Sequence, residues 1–203
     1  MSSSDPQKEF WQWFKFNLDR FEKFGDVQDP LLDEISSKLK PIDEKLVCEI
    51  TTPNAEAREL VISADGIEES FPSVIQLVEK APLVSGWKIT AFRPRTDIGL
   101  FTLMSDGREY YASDFYFWLQ REETNVDLIL YVPGLSEENR GQFVEVCYLL
   151  LDMALGEYDV VKKIRYIDHH PLPDNGEDVA LKPLTELPKE FDDLYARLNP
   201  RKE

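Results

Sequence analysis

The spacing of apolar residues in this chain switches several times between the helical and the strand period, and the order of those switches limits the folds open to it. Near the start, Phe10, Trp11, Phe14, Leu18, Phe21 and Phe24 recur at three- and four-residue steps, the stripe of an amphipathic helix. Ser4 or Asp5 supplies a cap, Pro6 suits the first turn, and Gly25 ends the stripe. A second helix is expected from Asp29-Pro30 through Leu31, Leu32, Ile35 and Leu39 to Pro41. The pattern then turns strand-like over 45–50 and 59–63, with turn chemistry at Pro53-Asn54 between them and at Asp65-Gly66 after them. Helical spacing returns over 71–81, and 86–92 alternates as a strand that Pro94 terminates.

The second half repeats this order. A short strand is expected over 108–112 after the Asp106-Gly107 turn, then a hairpin of 114–119 with 126–132. A long helix starts near Ser136, with Glu138 and Asn139 close to the capping-box position, and runs over 137–155 to Gly156. The segment 160–167 reads as a closing strand, 171–177 as a loop and 185–198 as a last helix. Strand-strand-helix-strand thus occurs twice, at 45–93 and 114–167. The expectation is one α+β domain over 1–203 with a possible pseudo-repeat. Its antiparallel hairpins form a sheet with helices on one face, and the N-terminal helix pair and the C-terminal helix close the core. Helix 137–155, with Phe143, Val146, Leu149, Leu150 and Met153, is expected to be the most buried.

Composition narrows the function classes. With 203 residues and 42% apolar content, the chain can bury a substantial core. Its 23 basic and 39 acidic residues leave a net charge of −16, a surface that repels phosphate backbones and anionic lipid. No apolar run approaches the roughly 20 residues that span a bilayer. Met1 to Asp5 carries neither the basic region nor the apolar segment of a secretory signal. A cytoplasmic protein without nucleic-acid or membrane partners is expected, its oligomeric state open.

Chemical motifs are scarce. There is no Gly-x-Ser-x-Gly elbow for a nucleophile, no phosphate-binding Gly-x-x-x-x-Gly-Lys and no Gly-x-Gly-x-x-Gly, so no nucleotide cofactor is indicated. Cys48 and Cys147 lie far apart on apolar stripes and read as small buried hydrophobes. His169 and His170 are adjacent, so on a strand they face opposite ways and cannot share one metal, and no further ligand spacing supports them. The pairs Glu68-Glu69, Glu122-Glu123 and Glu137-Glu138 suit solvated turns and a helix start rather than facing catalytic carboxylates. The dense aromatics Tyr110-Tyr111 and Phe115-Tyr116-Phe117-Trp118 make a strand that is apolar on both faces, buried between layers or shown to a partner. Trp11 and Trp13, on different faces of the first helix, pose the same question.

The best candidate site is the basic stretch Trp87, Lys88, Arg93 and Arg95. Cations beside aromatics hold phosphates, carboxylates or a partner's acidic surface. Arg93 would anchor such a ligand and Trp87 would offer a stacking surface. The competing reading pairs these cations with carboxylates of the protein itself. Two functions are open: a non-catalytic binding or adaptor protein with an unknown protein or small anionic ligand, and a hydrolase or transferase acting on a small anionic substrate, with Asp65 or Glu157 as base.

The segments Phe10-Trp11-x-Trp13-Phe14, Leu60-Val61-Ile62-Ser63-Ala64-Asp65-Gly66, Ala81-Pro82, Trp87-Lys88-Ile89-Thr90-Ala91-Phe92-Arg93-Pro94-Arg95 and Leu155-Gly156-Glu157 together resemble a family of uncharacterised bacterial proteins of about this length. The resemblance spans most of the chain. It implies a bacterial cytoplasmic protein, and it assigns no activity, cofactor or site residue.

Overall fold

The computed structural model describes residues 5–21, 30–54, 57–99, 102–173 and 180–200. They gather into two compact units, Met1–Arg93 and Pro94–Glu203, with one strand-strand-helix-strand segment in each. The fold is α+β. No helix among the described residues is long and apolar enough to cross a membrane.

The first unit opens with α1 (Pro6–Phe16), capped by Asp5, whose carboxylate accepts the Gln7 N–H at 3.1 Å. Asn17 caps its end, and the stripe resumes in α2 (Leu18–Phe21). The expected Ser4 cap, Phe24, Gly25 and Asp29 lie outside the described residues. After α3 (Pro30–Leu39) come β1 (Val47–Asn54), β2 (Ala57–Ser63), α4 (Phe71–Glu79) and β3 (Trp87–Ala91). The strand β1 runs on through Pro53-Asn54, where a turn was expected.

The order across this sheet is β1-β2-β3, with β1 antiparallel and β3 parallel to β2. The parallel pair departs from the expectation of hairpins alone: a helical crossover carries the chain back to the end of the sheet at which β2 began. Trp87 and Ile89 stand on the same sheet face as Leu60 and Ile62, both fully buried. On this face the Trp87 ring meets Phe14 and Phe21 at 5.2 and 5.7 Å, while Trp11 donates its indole N–H to the Leu77 carbonyl at 2.9 Å. Helices therefore cover this face. The other face carries Glu49, Glu59, Lys88 and Thr90. Strand β3 ends before Pro94, because Phe92 adopts φ +66° and lays its buried ring 4.4 Å from Phe71.

The second unit begins with a ribbon of β4 (Thr102–Ser105) and β5 (Arg108–Tyr111), joined across Asp106-Gly107 with φ values of 49° and 72°. Then follow β6 (Tyr116–Glu122), β7 (Asn125–Val132), α5 (Arg140–Leu155), α6 (Glu157–Lys163), β8 (Ile164–Pro171), β9 (Lys182–Pro183) and α7 (Leu187–Leu198). The sheet order is β8-β7-β6-β9, with β6 antiparallel and β8 parallel to β7. Alternate residues of β6 and β7, among them Phe117, Leu128, Leu130 and Val132, pack against Phe143, Val146, Leu150 and Leu151 of α5 and Leu187 and Phe191 of α7.

Three expectations shift here. Residues 160–163 are helical, in α6, and the closing strand starts at Ile164, so His169 and His170 lie within it. Helix α5 starts at Arg140, because the Asn139 side chain serves the preceding loop, accepting the Ser136 N–H and donating to the Gly134 carbonyl. Eight residues of α5 are buried, yet Leu149 is exposed and Met153 only partly covered; Cys147, Leu151, Ala154 and Leu155 fill the core instead.

Candidate functional site

The basic stretch is divided between the units, and each cation is closed by groups of its own unit. Arg93, mostly buried, donates to Glu49 at 2.5 Å and to Asp65 at 3.0 Å. Burial disfavours its charge, but the two carboxylates outweigh that and hold its pKa above the ordinary arginine value. Lys88 lies 2.7 Å from Glu59, which also accepts the Thr90 hydroxyl. Burial of Glu59 opposes its ionisation, yet Lys88 and Thr90 hold its pKa below the usual carboxylate value. Arg95 belongs to the second unit, where its guanidinium reaches Asp192 at 2.8 Å, Asp159 at 2.7 Å and the Leu155 carbonyl at 2.6 Å. Lys88 and Arg93 thus meet carboxylates of the first unit, and Arg95 meets carboxylates of the second. Of the two suggested bases, Asp65 is taken by Arg93, and Glu157 is fully buried in the first turn of α6.

Trp87 and Lys88 do border a concavity. A groove of about 530 Å³ is lined by Val78, Ala81, Pro82, Leu83, Val84, Trp87 and Ile89, with Ser85 and Lys88 also on its wall. That volume falls within the range of specific binding sites, and the lining is mainly apolar. Leu83 stands wholly in solvent at the rim, next to the apolar Pro82 and Val84 of the wall.

The groove abuts a sheet edge. Among the described residues β3 pairs only with β2. Gly86 accepts the Arg58 N–H at 2.9 Å and Phe92 donates to the Ile62 carbonyl at 2.8 Å. By strand alternation, Lys88 and Thr90 also turn their backbone groups toward β2, and Trp87, Ile89 and Ala91 turn theirs outward. The Trp87 N–H is used locally, by the Val84 carbonyl at 3.2 Å. At Ile89 and Ala91 the outward N–H and C=O groups have no partner among the described residues.

On β8 the same geometry is blunted at two of three outward residues, His169 and Pro171, and not at Ile167. Leu172 donates to the Val132 carbonyl at 3.0 Å, so Ile167, His169 and Pro171 face away from β7. The His169 N–H goes to the Asp168 carboxylate at 2.8 Å, its carbonyl accepts from Arg140 at 3.3 Å, and Pro171 has no N–H. That backbone bond, with the nearby His170, holds the Asp168 carboxyl below its usual range. The two histidines face opposite ways, as their adjacency requires: His169 is buried between Leu130 and Tyr148, and His170 is exposed, 3.0 Å from Asp168. No group of three or more His, Cys, Asp or Glu among the described residues stands in position to hold a metal ion.

The remaining candidates resolve individually. Cys147 is buried as expected and Cys48 is only partly covered; burial pushes both thiols up to about 12, which favours the protonated form at neutral pH. Glu68, Glu69, Glu123, Glu137 and Glu138 are exposed. Trp11 is buried and Trp13 half-buried beside Phe21. The aromatic strand β6 is buried on one face only: Phe115 and Phe117 enter the core, whereas Trp118 is exposed on the same outer face as Tyr166 of β8. Sequence reasoning named the Trp87 end of the site and missed its edge. The available signal was a fully apolar Pro82-Leu83-Val84 in a loop beside an alternating strand. Comparison with known protein families, with curated proteins and with solved structures returns no match for this chain.

Proposed function

We propose that this chain is a non-catalytic binding or adaptor protein, bacterial and cytoplasmic as its family resemblance implies. The observation that carries the reading is the contrast at the basic stretch. The cations that would hold a small anion are occupied by carboxylates, while Trp87 borders an open apolar groove. Exposed Trp118, Tyr158 and Tyr166 add surface suited to protein contact. Nothing in the arrangement favours the hydrolase or transferase alternative, whose anchor and base already bond each other.

A thermal-shift screen tests this. Phosphate, citrate and phosphate esters at low millimolar concentration should leave the melting temperature unchanged. A ligand at about 100 times its dissociation constant adds about 2.7 kcal/mol to stability. A rise with any of these anions that Arg93→Lys abolishes would overturn the reading in favour of an anion-using enzyme.

A further inference from the structure

From the edge and the groove together, we infer that β3 accepts an extended segment of a partner protein as an added strand, one with apolar residues on alternate positions and lysine or arginine between them. The inference rests on the binding reading and names its partner chemistry.

Three observations select this occupant. The outward backbone groups at Ile89 and Ala91 form a row that only an extended chain satisfies in register. The groove lies on the Ile89 side of that edge, so every second side chain of an added strand would enter it against Val78, Pro82, Leu83 and Val84. Its apolar lining takes an aliphatic side chain and rejects a charged one. The intervening side chains lie on the face of Lys88, whose charge Glu59 offsets at 2.7 Å, and of the partly exposed Glu49, over a chain of net charge −16, which favours basic residues and disfavours a second copy of this chain.

The contrast with β8 strengthens the case. There two of the three outward positions are blunted, His169 by Asp168 and Arg140 and Pro171 by its missing N–H, while Ile167 has no such device. At β3 the one charge on the strand, Lys88, is drawn to Glu59 at 2.7 Å, and the outward groups of Ile89 and Ala91 have no partner among the described residues.

The test uses the full-length, ¹⁵N-labelled chain and an acetylated, amidated peptide of about eight residues alternating valine with lysine. Amide exchange at Ile89 and Ala91 should slow by about tenfold or more when the peptide binds, while Lys88 and Thr90, already bonded to β2, change little. A peptide N-methylated at the valines should not bind if it adds antiparallel to β3, where the valine N–H groups face the edge, and one methylated at the lysines should not bind if it adds parallel. Failure of both to weaken binding overturns the proposal. Exchanging lysine for glutamate should weaken binding by about tenfold.

Ala91→Pro removes an outward N–H without touching the bonds to β2, so the melting temperature should hold while affinity falls by about tenfold. Leu83→Ser, at a wholly exposed position, should weaken binding with the fold intact. Absence of binding at about 1 mM overturns strand addition, as does binding without protection of Ile89 and Ala91. If the peptide instead perturbs Trp118 and Tyr166, strand addition falls and the binding reading stands. A dimer that Ala91→Pro dissociates would make the occupant a second copy and overturn the basic partner. The anion screen decides the binding reading separately.

Discussion

Strands β3 and β8 hold the same place in their units. Each arrives by a helical crossover, runs parallel to the central strand and has no further strand beside it among the described residues. Their outer edges differ. The chain spends an aspartate, an arginine and a proline on blunting His169 and Pro171 of β8, and at β3 places Lys88, drawn to Glu59, beside an apolar loop and an exposed leucine. An unpaired edge in water is a hazard, and β8 shows how this chain blunts one. An edge left open beside an apolar groove, in the same molecule, has the character of a surface kept for use.

The largest expected effect concerns how firmly the open edge is held. Arg93 ties Glu49 of β1 to Asp65 beyond β2, bracing the sheet of which β3 is a part. Both carboxylates stay partly in water when the guanidinium is lost, so Arg93→Ala should cost about 1.5–3 kcal/mol, the range of hydrogen bonds to charged groups, rather than the more of a wholly buried pair. In amide exchange, protection at Thr90 should fall while that in α5 changes less. An unchanged melting temperature and an unchanged Thr90 would mean that Arg93 does not brace the sheet, and would reopen it as a ligand anchor.

The comparison also shows what the sequence carries and what it does not. The order of elements was legible because each has its own period: Leu60 and Ile62 alternate, and Phe143, Val146 and Leu150 step as a helix. The segment 160–163 misled because Val160 and Val161 are β-branched. Its true signal was charge order, with Glu157 and Asp159 in the first turn and Lys162 and Lys163 in the last, an arrangement that suits a helix dipole. Strand β4 was missed although Asp106-Gly107 is a strong hairpin signal, since a strand after that turn implies one before it. The partners of the cations were not legible at all. Arg95 reaches Asp159 and Asp192 across large sequence separations that only the fold brings together. Edge status is likewise a property of topology: nothing local in Trp87–Ala91 says that no strand follows it in space.

An intermediate effect would convert one edge into the other. Asp168→Ala removes the acceptor for the His169 N–H and the partner of Arg140 and His170. The cost in stability should be about 1 kcal/mol, since the groups lie partly in water. Exchange at the His169 amide should rise toward the rate of Ile89, and the variant should associate more readily at high concentration, measured by light scattering. If His169 stays as protected as before, the closure of β8 does not depend on Asp168, and the contrast between the edges loses its chemical basis.

The smallest effect separates the units by pH. The chain has two histidines, both on β8, so the first unit has none to titrate. His169 Nε2 is buried and has no hydrogen-bond partner among the described residues. Burial first, and the charge of Arg140 second, push its pKa below the ordinary 6.5, against the opposing pull of Asp168. The unfolded chain therefore takes up a proton as pH falls below about 6.5 that the folded chain refuses, and the second unit loses stability progressively until the lowered folded value is reached. The depressed carboxyl of Asp168 adds to the loss only at lower pH, near and below its ordinary 3.8. Amide protection around Leu130 should accordingly decline between pH 6.5 and 5, while protection around Leu60 is flat over that interval. In His169→Gln, which keeps a polar group but cannot take up a proton, the decline at Leu130 should disappear. Its persistence would assign the pH dependence to another group and leave His169 as packing alone.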